Sequence, residues 1–403
     1  MAKFEIKDGV AIIPEGTTKI WSYAFAGCTL LKSVTIPESV KEIGWHAFGG
    51  CISLKSITIP ESVKEIGEGA FCACSSLESI EMPTSVWAIR RVAFLECTSL
   101  KSIIIPESVR EIGDDAFYGC TSLKSIIIPE SVNEIGKSAF YGCTSLKSII
   151  VPELVTKIGK YAFCDCSSLK SIIIPESVRE IGEGAFYGCT SLKSIIIPES
   201  VMEIGDSAFC ECASLKSVTI PESVTSIGDS AFIGCASLKS VTIPESVTSI
   251  ENSAFIACTS LKSFVVAEGN PVYDSRECCN AIIETKTNTL ICGCKSTIIP
   301  ESVTVIGDNA FGVCCNSLVS IVIPESVTEI GECAFSSCPL ESITFLGSVT
   351  KIDECAFDDC TALTAIYVPA KKADYYKERL PEELHDKIVE LAPEKKTKTE
   401  KEC

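Results

Sequence analysis

Cysteine is the side chain of this sequence with the clearest capacity for chemistry, since the 403-residue chain contains 25 of them. Fourteen occupy one position of a repeating unit and so form a column: Cys28, Cys51, Cys74, Cys97, Cys120, Cys143, Cys166, Cys189, Cys212, Cys235, Cys258, Cys314, Cys338 and Cys360. Such a column could be a disulfide ladder or a row of buried thiols that pack as small apolar side chains. Stacked side chains run parallel, whereas a disulfide needs Cβ atoms that point at each other. The spacing therefore favours reduced, buried thiols.

Four further cysteines lie in the one stretch where the repeating unit is enlarged: Cys278, Cys279, Cys292 and Cys294. Two apolar runs in this stretch predict a hairpin. If Ile283 pairs with Leu290, Cys279 lies opposite Cys294 and a disulfide between these two becomes possible. The spacing does not suit structural zinc, which usually takes two cysteines separated by two residues. Free thiols, this disulfide and a metal site all remain open, with free thiols favoured.

The sequence contains no arrangement typical of catalysis. Its two histidines, His46 and His385, lie beside no serine or cysteine motif that would suggest a nucleophile and its base. There is no Gly-rich phosphate loop, nucleophile elbow or zincin motif, and the carboxylates recur with the repeating unit. We therefore expect no enzyme, no metal site and no cofactor, and we expect His46 to be an exposed variant of its column.

The composition restricts the class of partner. The net charge of −18 disfavours nucleic acid, because phosphate binding needs clustered Lys and Arg. No run of 18 or more apolar residues predicts a transmembrane helix, and the first residues lack the apolar segment of a signal peptide. We therefore expect a protein partner, or self-association, and neither nucleic acid nor insertion into a membrane.

The element that must position all of these residues is a repeat. Prolines recur every 23 residues from Pro14 to Pro244, and after a break the register resumes at Pro300, which gives sixteen units in all. A single unit cannot bury its own apolar side chains, but stacked units cover one another. The sequence therefore predicts one mostly β solenoid of 23-residue units with a parallel sheet on one face.

Within a unit, the apolar pattern predicts the local structure. Residues 123–128 predict a short strand by their alternation, and Pro129 ends it because proline cannot donate a ladder hydrogen bond. Ile135 to Cys143 predicts a loose turn or a short 3₁₀ segment on the far side of the coil. Gly stands seven residues after the proline in ten of fourteen units and predicts a turn, although a positive φ is not strictly required there.

One unit reads Leu-Lys-Ser-Ile-Thr-Ile-Pro at Leu54–Pro60, followed by Ser62-Val63, Ile66-Gly67, Ala70-Phe71 and Cys74. This wording, maintained over about residues 4–369, resembles the leucine-rich repeats of the BspA-like surface-antigen family. The resemblance implies a right-handed leucine-rich-repeat solenoid of the α/β type. It also implies a secreted or cell-surface role in adhesion, with host extracellular matrix or a surface protein as the partner.

The repeat pattern predicts a division of the chain into six parts. Asp8-Gly9 is a favoured type I′ turn pair and predicts a hairpin before the first unit. Solenoid ends need caps, and a charged stretch with helical spacing, broken at Pro381, suits the other end. The parts are an N-terminal hairpin cap at 1–13, repeats at 14–267, an enlarged repeat with a hairpin insert at 268–299, repeats at 300–369, a C-terminal helical cap at 370–392, and a disordered polar tail at 393–403.

The outward-facing position of the strands, two residues before each proline, carries an unusual run. In five successive units it is isoleucine, and we name this set the isoleucine ribbon: Ile104, Ile127, Ile150, Ile173 and Ile196. The ribbon could reflect β-propensity drift in duplicated repeats. It could equally be a binding strip, because contiguous exposed apolar patches usually mark interaction sites.

Two charged columns flank the strands. Lys stands five residues before the proline in ten units, and Glu stands one residue after it in twelve. The simpler interpretation is a pair of solvated rims. The alternative is that the glutamate column attracts a basic partner or bridging cations.

Two functional classes fit these patterns. The first is a non-catalytic protein-binding and adhesion protein at the cell surface, which the resemblance favours. The second is an intracellular protein–protein interaction scaffold, which the missing signal peptide and the abundant thiols favour, because disulfides are rare in reducing compartments.

Overall fold

The computed structural model describes residues 4–251, 253–312 and 318–392. Contacts divide the chain into two compact units, residues 1–238 with 249–255 and residues 239–248 with 256–403, and each is described by itself. The regular secondary structure of both consists mainly of short strands, joined by turns, and most of these strands pair in parallel with those of neighbouring repeats. The prediction of a mostly β solenoid with 23-residue units is confirmed.

The strand that precedes each proline forms as predicted, and we call it the long strand. Neighbouring long strands pair in parallel with a shift of one repeat, so that Ser148 lies opposite Ser171. At Ile104 and Ile127 the pairing is reduced to a single parallel bridge. In the first unit the long strands are Ser33–Thr35, Ser56–Thr58, Ser79–Glu81, Ser148–Ile150, Ser171–Ile173, Ser194–Ile196 and Ser217–Thr219. In the second unit they are Ser240–Ile243, Ser263–Val266, Ser320–Ile323, Ser342–Phe345 and Ala365–Val368.

A second strand of two residues follows each proline, where the sequence predicted a turn or a 3₁₀ segment. That prediction was wrong for Ile135, which pairs in parallel with Ile112. An isolated repeat would leave the N–H and C=O groups of this strand unpaired, but the strand of the neighbouring repeat satisfies them. In the first unit these short strands are Lys19–Ile20, Glu42–Ile43, Glu65–Ile66, Ala88–Ile89, Glu111–Ile112, Glu134–Ile135, Lys157–Ile158, Glu180–Ile181, Glu203–Ile204, Ser226–Ile227 and Ser249–Ile250; in the second they are Val305–Ile306, Glu329–Ile330 and Lys351–Ile352.

The repeated glycine has a different role from the predicted turn. Gly136 has no positive φ, but a Cβ added to it would lie 2.5 Å from the Asp114 amide nitrogen in the preceding repeat. At Gly136, glycine is therefore favoured by the close approach of two backbones. The left-handed conformation occurs two residues later, at Ser138 with φ 52°, and again near the end of the turn at Gly142 with φ 68°.

Aromatic and aliphatic columns form the core of each unit. Each repeat contributes one phenylalanine, and the rings of Phe117 and Phe140 stack with centroids 5.3 Å apart and planes 6° from parallel. The amide of Phe117 donates to the carbonyl of Ala139 in the next repeat at 2.8 Å. In the second unit Phe335 and Phe357 stack in the same way, at 5.4 Å. Identical side chains therefore lie one above another, which is how repeats that cannot fold singly bury their apolar surface together.

The first described residues form a hairpin. Ile6–Lys7 pairs antiparallel with Val10–Ile12 across Asp8 and Gly9, both of which have positive φ. This is the backbone geometry of a type I′ turn. The assignment of residues 1–13 as a cap remains a prediction.

The enlarged repeat folds as an insert in the second unit. Tyr273–Asp274 pairs antiparallel with Ile282–Glu284, which pairs antiparallel with Thr289–Cys292. Thr289–Cys292 then pairs in parallel with Val305–Ile306, so that the insert hairpin continues the row of short strands. A 3₁₀ turn at Arg276–Cys278 precedes the hairpin.

The C-terminal segment combines two short helices with a strand, and its role as a cap remains a prediction. It contains an α-helix at Ala373–Lys377, a 3₁₀ helix at Glu382–Lys387 and a strand at Ile388–Glu390. The strand pairs in parallel with Ala365–Val368, because β-branched residues next to an open sheet edge gain a ladder of hydrogen bonds. Tyr376 is fully buried in the core of this unit. The predicted disordered tail, 393–403, lies outside the described residues.

Candidate protein-binding surface

The strands of the first unit hold the isoleucine ribbon outward. On each of these strands the residues on either side of the ribbon position are buried, as Ile149 and Val151 are around Ile150. The five ribbon side chains themselves are between 59% and 83% exposed. Parallel pairing without a register shift places Ile150 directly opposite Ile173. The structure therefore brings the five residues together in one exposed apolar column; their role in partner binding remains a prediction.

Charged and small residues border the ribbon. Three residues before each ribbon isoleucine is an exposed lysine, and we name this set the lysine rim: Lys101, Lys124, Lys147, Lys170 and Lys193. Three residues after each isoleucine is an exposed glutamate, and we name this set the glutamate rim: Glu107, Glu130, Glu153, Glu176 and Glu199. Between the lysine rim and the ribbon are exposed serines such as Ser148 and Ser171, which leave the isoleucine side chains prominent.

The rims are largely free of ion pairs. Lys101 Nζ lies 2.5 Å from Glu78 Oε2 of the preceding repeat. Among the residues that the structure describes, no other member of either rim forms a salt bridge. Like charges therefore line both sides of the ribbon at the spacing of adjacent strands, about 4.8 Å.

The ribbon has polar neighbours at both ends. In the preceding repeats the same outward position holds Thr58 and Glu81, which hydrogen-bond to each other at 3.4 Å. In the following repeat it holds Thr219, which is exposed at the end of a long strand. The uninterrupted run of isoleucines thus spans five repeats, and an apolar strip within a polar border is the usual composition of a protein interface.

The cysteine column lies in the interior. Twelve of its thirteen described members are buried, Cys28 is half-buried, and Cys314 lies outside the described residues. Eleven of the thiols donate a hydrogen bond to the carbonyl of a phenylalanine in the preceding repeat, with sulfur–oxygen distances from 2.9 to 3.3 Å. Burial raises the pKa of Cys120 to about 12, so its thiol is neutral and unreactive in the folded chain. The predicted burial is confirmed; the acceptor carbonyl was not foreseen.

The strand pairing of the insert hairpin changes register before it reaches Cys279 and Cys294. Ile283 pairs with Leu290, but a register shift follows and Ile282 pairs with Cys292. As a result the Cys294 thiol lies 3.3 Å from the Asn280 carbonyl, while the Cys279 thiol lies 3.8 Å from the carbonyl of Ala281. Both thiols are free and buried in the structure. A disulfide between Cys279 and Cys294 remains a prediction that requires oxidation and local rearrangement.

His46 differs from the expectation of an exposed, unpartnered variant. It is half-buried, its ring stacks on Tyr23 at 5.4 Å, and its Nδ1 lies 3.0 Å from the sulfur of Cys72. Burial, together with the charge of Glu96, raises the pKa of Cys72. Nucleophilic cysteines need the opposite shift, so this pair does not provide an activated thiolate. Sequence inspection missed it because the two residues are 26 positions apart and meet only when repeats stack.

Three exposed tryptophans also escaped the sequence interpretation. All three tryptophans, Trp21, Trp45 and Trp87, are 45% to 61% exposed and lie within the first four repeats. Lys19 lies 5.3 Å from the ring of Trp21, and Arg90 lies 4.4 Å from the ring of Trp87. The confinement of every tryptophan to residues 21–87 was the available signal.

Within residues 4–251, 253–312 and 318–392, no three His, Cys, Asp or Glu side chains come together as metal ligands. None of the helices there is long and apolar enough to cross a bilayer.

Comparison with known proteins identifies the family. A model of the BspA type leucine-rich repeat region matches residues 10–120, 87–205, 179–289 and 282–380. A leucine-rich repeat protein from Bacteroides ovatus is similar over 95% of this chain and 92% of its own, with 32% identity and a TM-score of 0.68. A leucine-rich cell surface protein from Faecalibacterium prausnitzii is similar over 66% of this chain and 81% of its own, with 34% identity and a TM-score of 0.56. No curated protein sequence matches. The chain belongs to the BspA-type leucine-rich repeat family.

Proposed function

We propose that this chain is a non-catalytic adhesion protein of the cell surface that binds a partner protein through the isoleucine ribbon. The observation that carries the proposal is the exposure of five stacked isoleucines, 59% to 83% each, between two charged rims. A soluble protein rarely leaves such a contiguous apolar strip uncovered unless a partner covers it. Each fully covered isoleucine contributes about 1.5–3 kcal/mol to binding.

Family relatives support the location. The Faecalibacterium prausnitzii protein, 34% identical, is described as a cell surface protein. A partner at a cell surface would be host extracellular matrix or another surface protein. Because the ribbon is bordered by both lysines and glutamates, such a partner is expected to present an apolar patch with charges of both signs around it.

The test is a pair of charge insertions on the ribbon. Ile127→Glu with Ile173→Glu places two carboxylates on the apolar strip and leaves the buried faces of the strands intact. We expect binding to an immobilised extracellular-matrix preparation to fall at least about tenfold, since a buried unpaired charge costs far more than 1.4 kcal/mol. The matched control is Thr35→Glu with Thr58→Glu, at the same strand position outside the ribbon, and it should bind like the wild type.

Circular dichroism must show that both double variants retain the wild-type β signal. If Ile127→Glu with Ile173→Glu binds the matrix preparation as the wild type does, the ribbon reflects repeat drift and the proposal is wrong. Fractionation of the source cells separates adhesion from the alternative of an intracellular scaffold, because recovery of the chain only in the cytosolic fraction contradicts a surface role.

A further inference from the structure

We propose that the isoleucine ribbon is also a self-association surface, at which two copies of the chain meet about a two-fold axis that runs along the ribbon. This inference rests on the proposed function, because it names a partner for the same surface. Three observations on the first unit carry it: the exposed apolar column, the equal spacing of the two rims, and the absence of salt bridges from nearly all of the described rim residues.

The spacing of the rims is symmetric about the ribbon. In the repeat that contains Ile150, Lys147 stands three residues before it and Glu153 three residues after it. Lys147 directly precedes the strand Ser148–Ile150, whereas Glu153 lies in the turn that follows Pro152, so each rim lies at most about 10 Å from the ribbon. A rotation of 180° about the ribbon therefore brings the lysine rim to the side of the glutamate rim.

This symmetry selects one arrangement of two copies. Two identical faces can meet about a two-fold axis that lies in the plane of contact, either across the ribbon or along it. An axis across the ribbon places lysines on lysines and glutamates on glutamates. An axis along the ribbon places isoleucine on isoleucine, Lys147 of one copy opposite Glu153 of the other, and the same exchange in all five repeats. Only the second arrangement is attractive on both sides.

Repulsion between like charges within each rim favours this contact. Neighbouring like charges about 4.8 Å apart repel by roughly 1 kcal/mol per pair in water. Opposing each column with the opposite charge removes that repulsion on both sides of the ribbon. The repeat immediately before the ribbon carries Glu78 in place of lysine and Thr84 in place of glutamate, so it interrupts the Lys–Glu pattern between the ribbon and the two repeats before that one.

The contact area sets the expected strength. Five repeats at about 4.8 Å, across a width of at most about 20 Å between the rims, give at most about 500 Å² on each copy and about 1,000 Å² in total. This is less than specific, stable interfaces bury, about 1,200–2,000 Å², and is typical of weak, transient ones. We therefore expect a reversible, salt-sensitive dimer in the micromolar range rather than a permanent one.

Sedimentation velocity of the full chain under reducing conditions, over about 1–200 µM, tests the proposal. The wild type should shift from monomer to dimer in that range, and the shift should move to higher concentration in high salt. Reversing one rim makes both rims acidic and should weaken self-association at least about tenfold. The variant is Lys124→Glu with Lys147→Glu and Lys170→Glu.

Exchange of the second rim is the decisive step. Added to the first three changes, Glu130→Lys with Glu153→Lys and Glu176→Lys restores opposite rims on an unchanged ribbon, and dimerisation should recover. The matched control is Lys32→Glu with Lys55→Glu, in the same lysine column beside Thr35 and Thr58, and it should dimerise like the wild type. Circular dichroism again verifies the fold of every variant.

The two proposals fail separately. A wild-type chain that stays monomeric to about 200 µM, a one-rim variant that dimerises like the wild type, or a two-rim variant that does not recover overturns the dimer. If the wild type is monomeric while Ile127→Glu with Ile173→Glu still abolishes matrix binding, self-association is wrong and the proposed adhesion stands. If the dimer behaves as expected and the wild type does not bind the matrix preparation, the adhesion is wrong and the self-association stands.

Discussion

Replacement of one column cysteine by serine tests the account of the core. Cys143 is fully buried, and its sulfur lies 3.3 Å from the Phe117 carbonyl oxygen, which also accepts from the Cys120 amide at 3.1 Å. A C–O bond is shorter than a C–S bond, so the hydroxyl of Cys143→Ser sits farther from the carbonyl than the thiol does. An O–H···O bond needs about 2.5–3.0 Å. The serine hydroxyl is therefore buried with a poor partner, at a cost of about 1–3 kcal/mol.

Cys143→Ala separates packing from polarity. It removes the sulfur, leaves a cavity of about one atom, and buries no new polar group, for which we expect a cost of about 1 kcal/mol. The Phe117 carbonyl keeps its bond from the Cys120 amide, so the loss of the weak thiol donor adds little. Serine should therefore destabilise the chain at least as much as alanine, although serine is the closer mimic in shape.

Urea unfolding under reducing conditions, followed by circular dichroism, measures these differences. Cys278→Ser provides the control, because Cys278 is exposed, and it should change the free energy of unfolding by less than about 0.5 kcal/mol. If Cys143→Ser is within about 0.5 kcal/mol of the wild type, the hydroxyl is well satisfied and the reasoning about the thiol–carbonyl distance is refuted.

Three further outcomes are expected. Unfolded thiols ionise near pH 9, whereas burial raises the pKa of Cys120 to about 12 in the folded chain. The contribution of such a thiol to stability should therefore be complete below pH 9 and fall as the pH rises toward 12, by about 1.4 kcal/mol per pH unit for each buried thiol. A urea midpoint that does not change between pH 8 and pH 11 would contradict this. Thiol titration of native, unreduced protein should detect few groups beyond Cys278 and many more in denaturant, and no rise on unfolding would indicate disulfides. Gly136→Ala should destabilise by about 1–3 kcal/mol, because its Cβ would lie 2.5 Å from the Asp114 amide nitrogen; calorimetry that shows no loss would mean that neighbouring repeats shift freely.

The sequence predicted those features that depend on position within one repeat. Alternation around Ile127 placed it outward and its neighbours inward, and Pro129 marked the end of the long strand, because both rules act over a few residues. The 23-residue period predicted the stacking of the repeats, and the residues within the repeat indicated the family.

The features that the sequence did not predict depend on contacts with the neighbouring repeat. The strand Glu134–Ile135 has only two residues and no alternation to reveal it. The contact of His46 with Cys72 and the bond from Cys143 to the Phe117 carbonyl both join residues 26 positions apart. The requirement for Gly136 likewise comes from a backbone one repeat away. Such contacts need the register and separation of two stacked coils, which a single repeat does not specify.

Site-specific photo-cross-linking tests the central claim, that the ribbon is where the chain meets its partners. A photoreactive phenylalanine analogue at Ile150, the central residue of the ribbon, is compared with the same analogue at Thr58, which occupies the equivalent strand position outside it. With the matrix preparation present, or with the chain alone at a concentration that gives dimer, the account predicts cross-linked product from position 150 and little from position 58. Equal cross-linking at both positions, or product only from position 58, would contradict it.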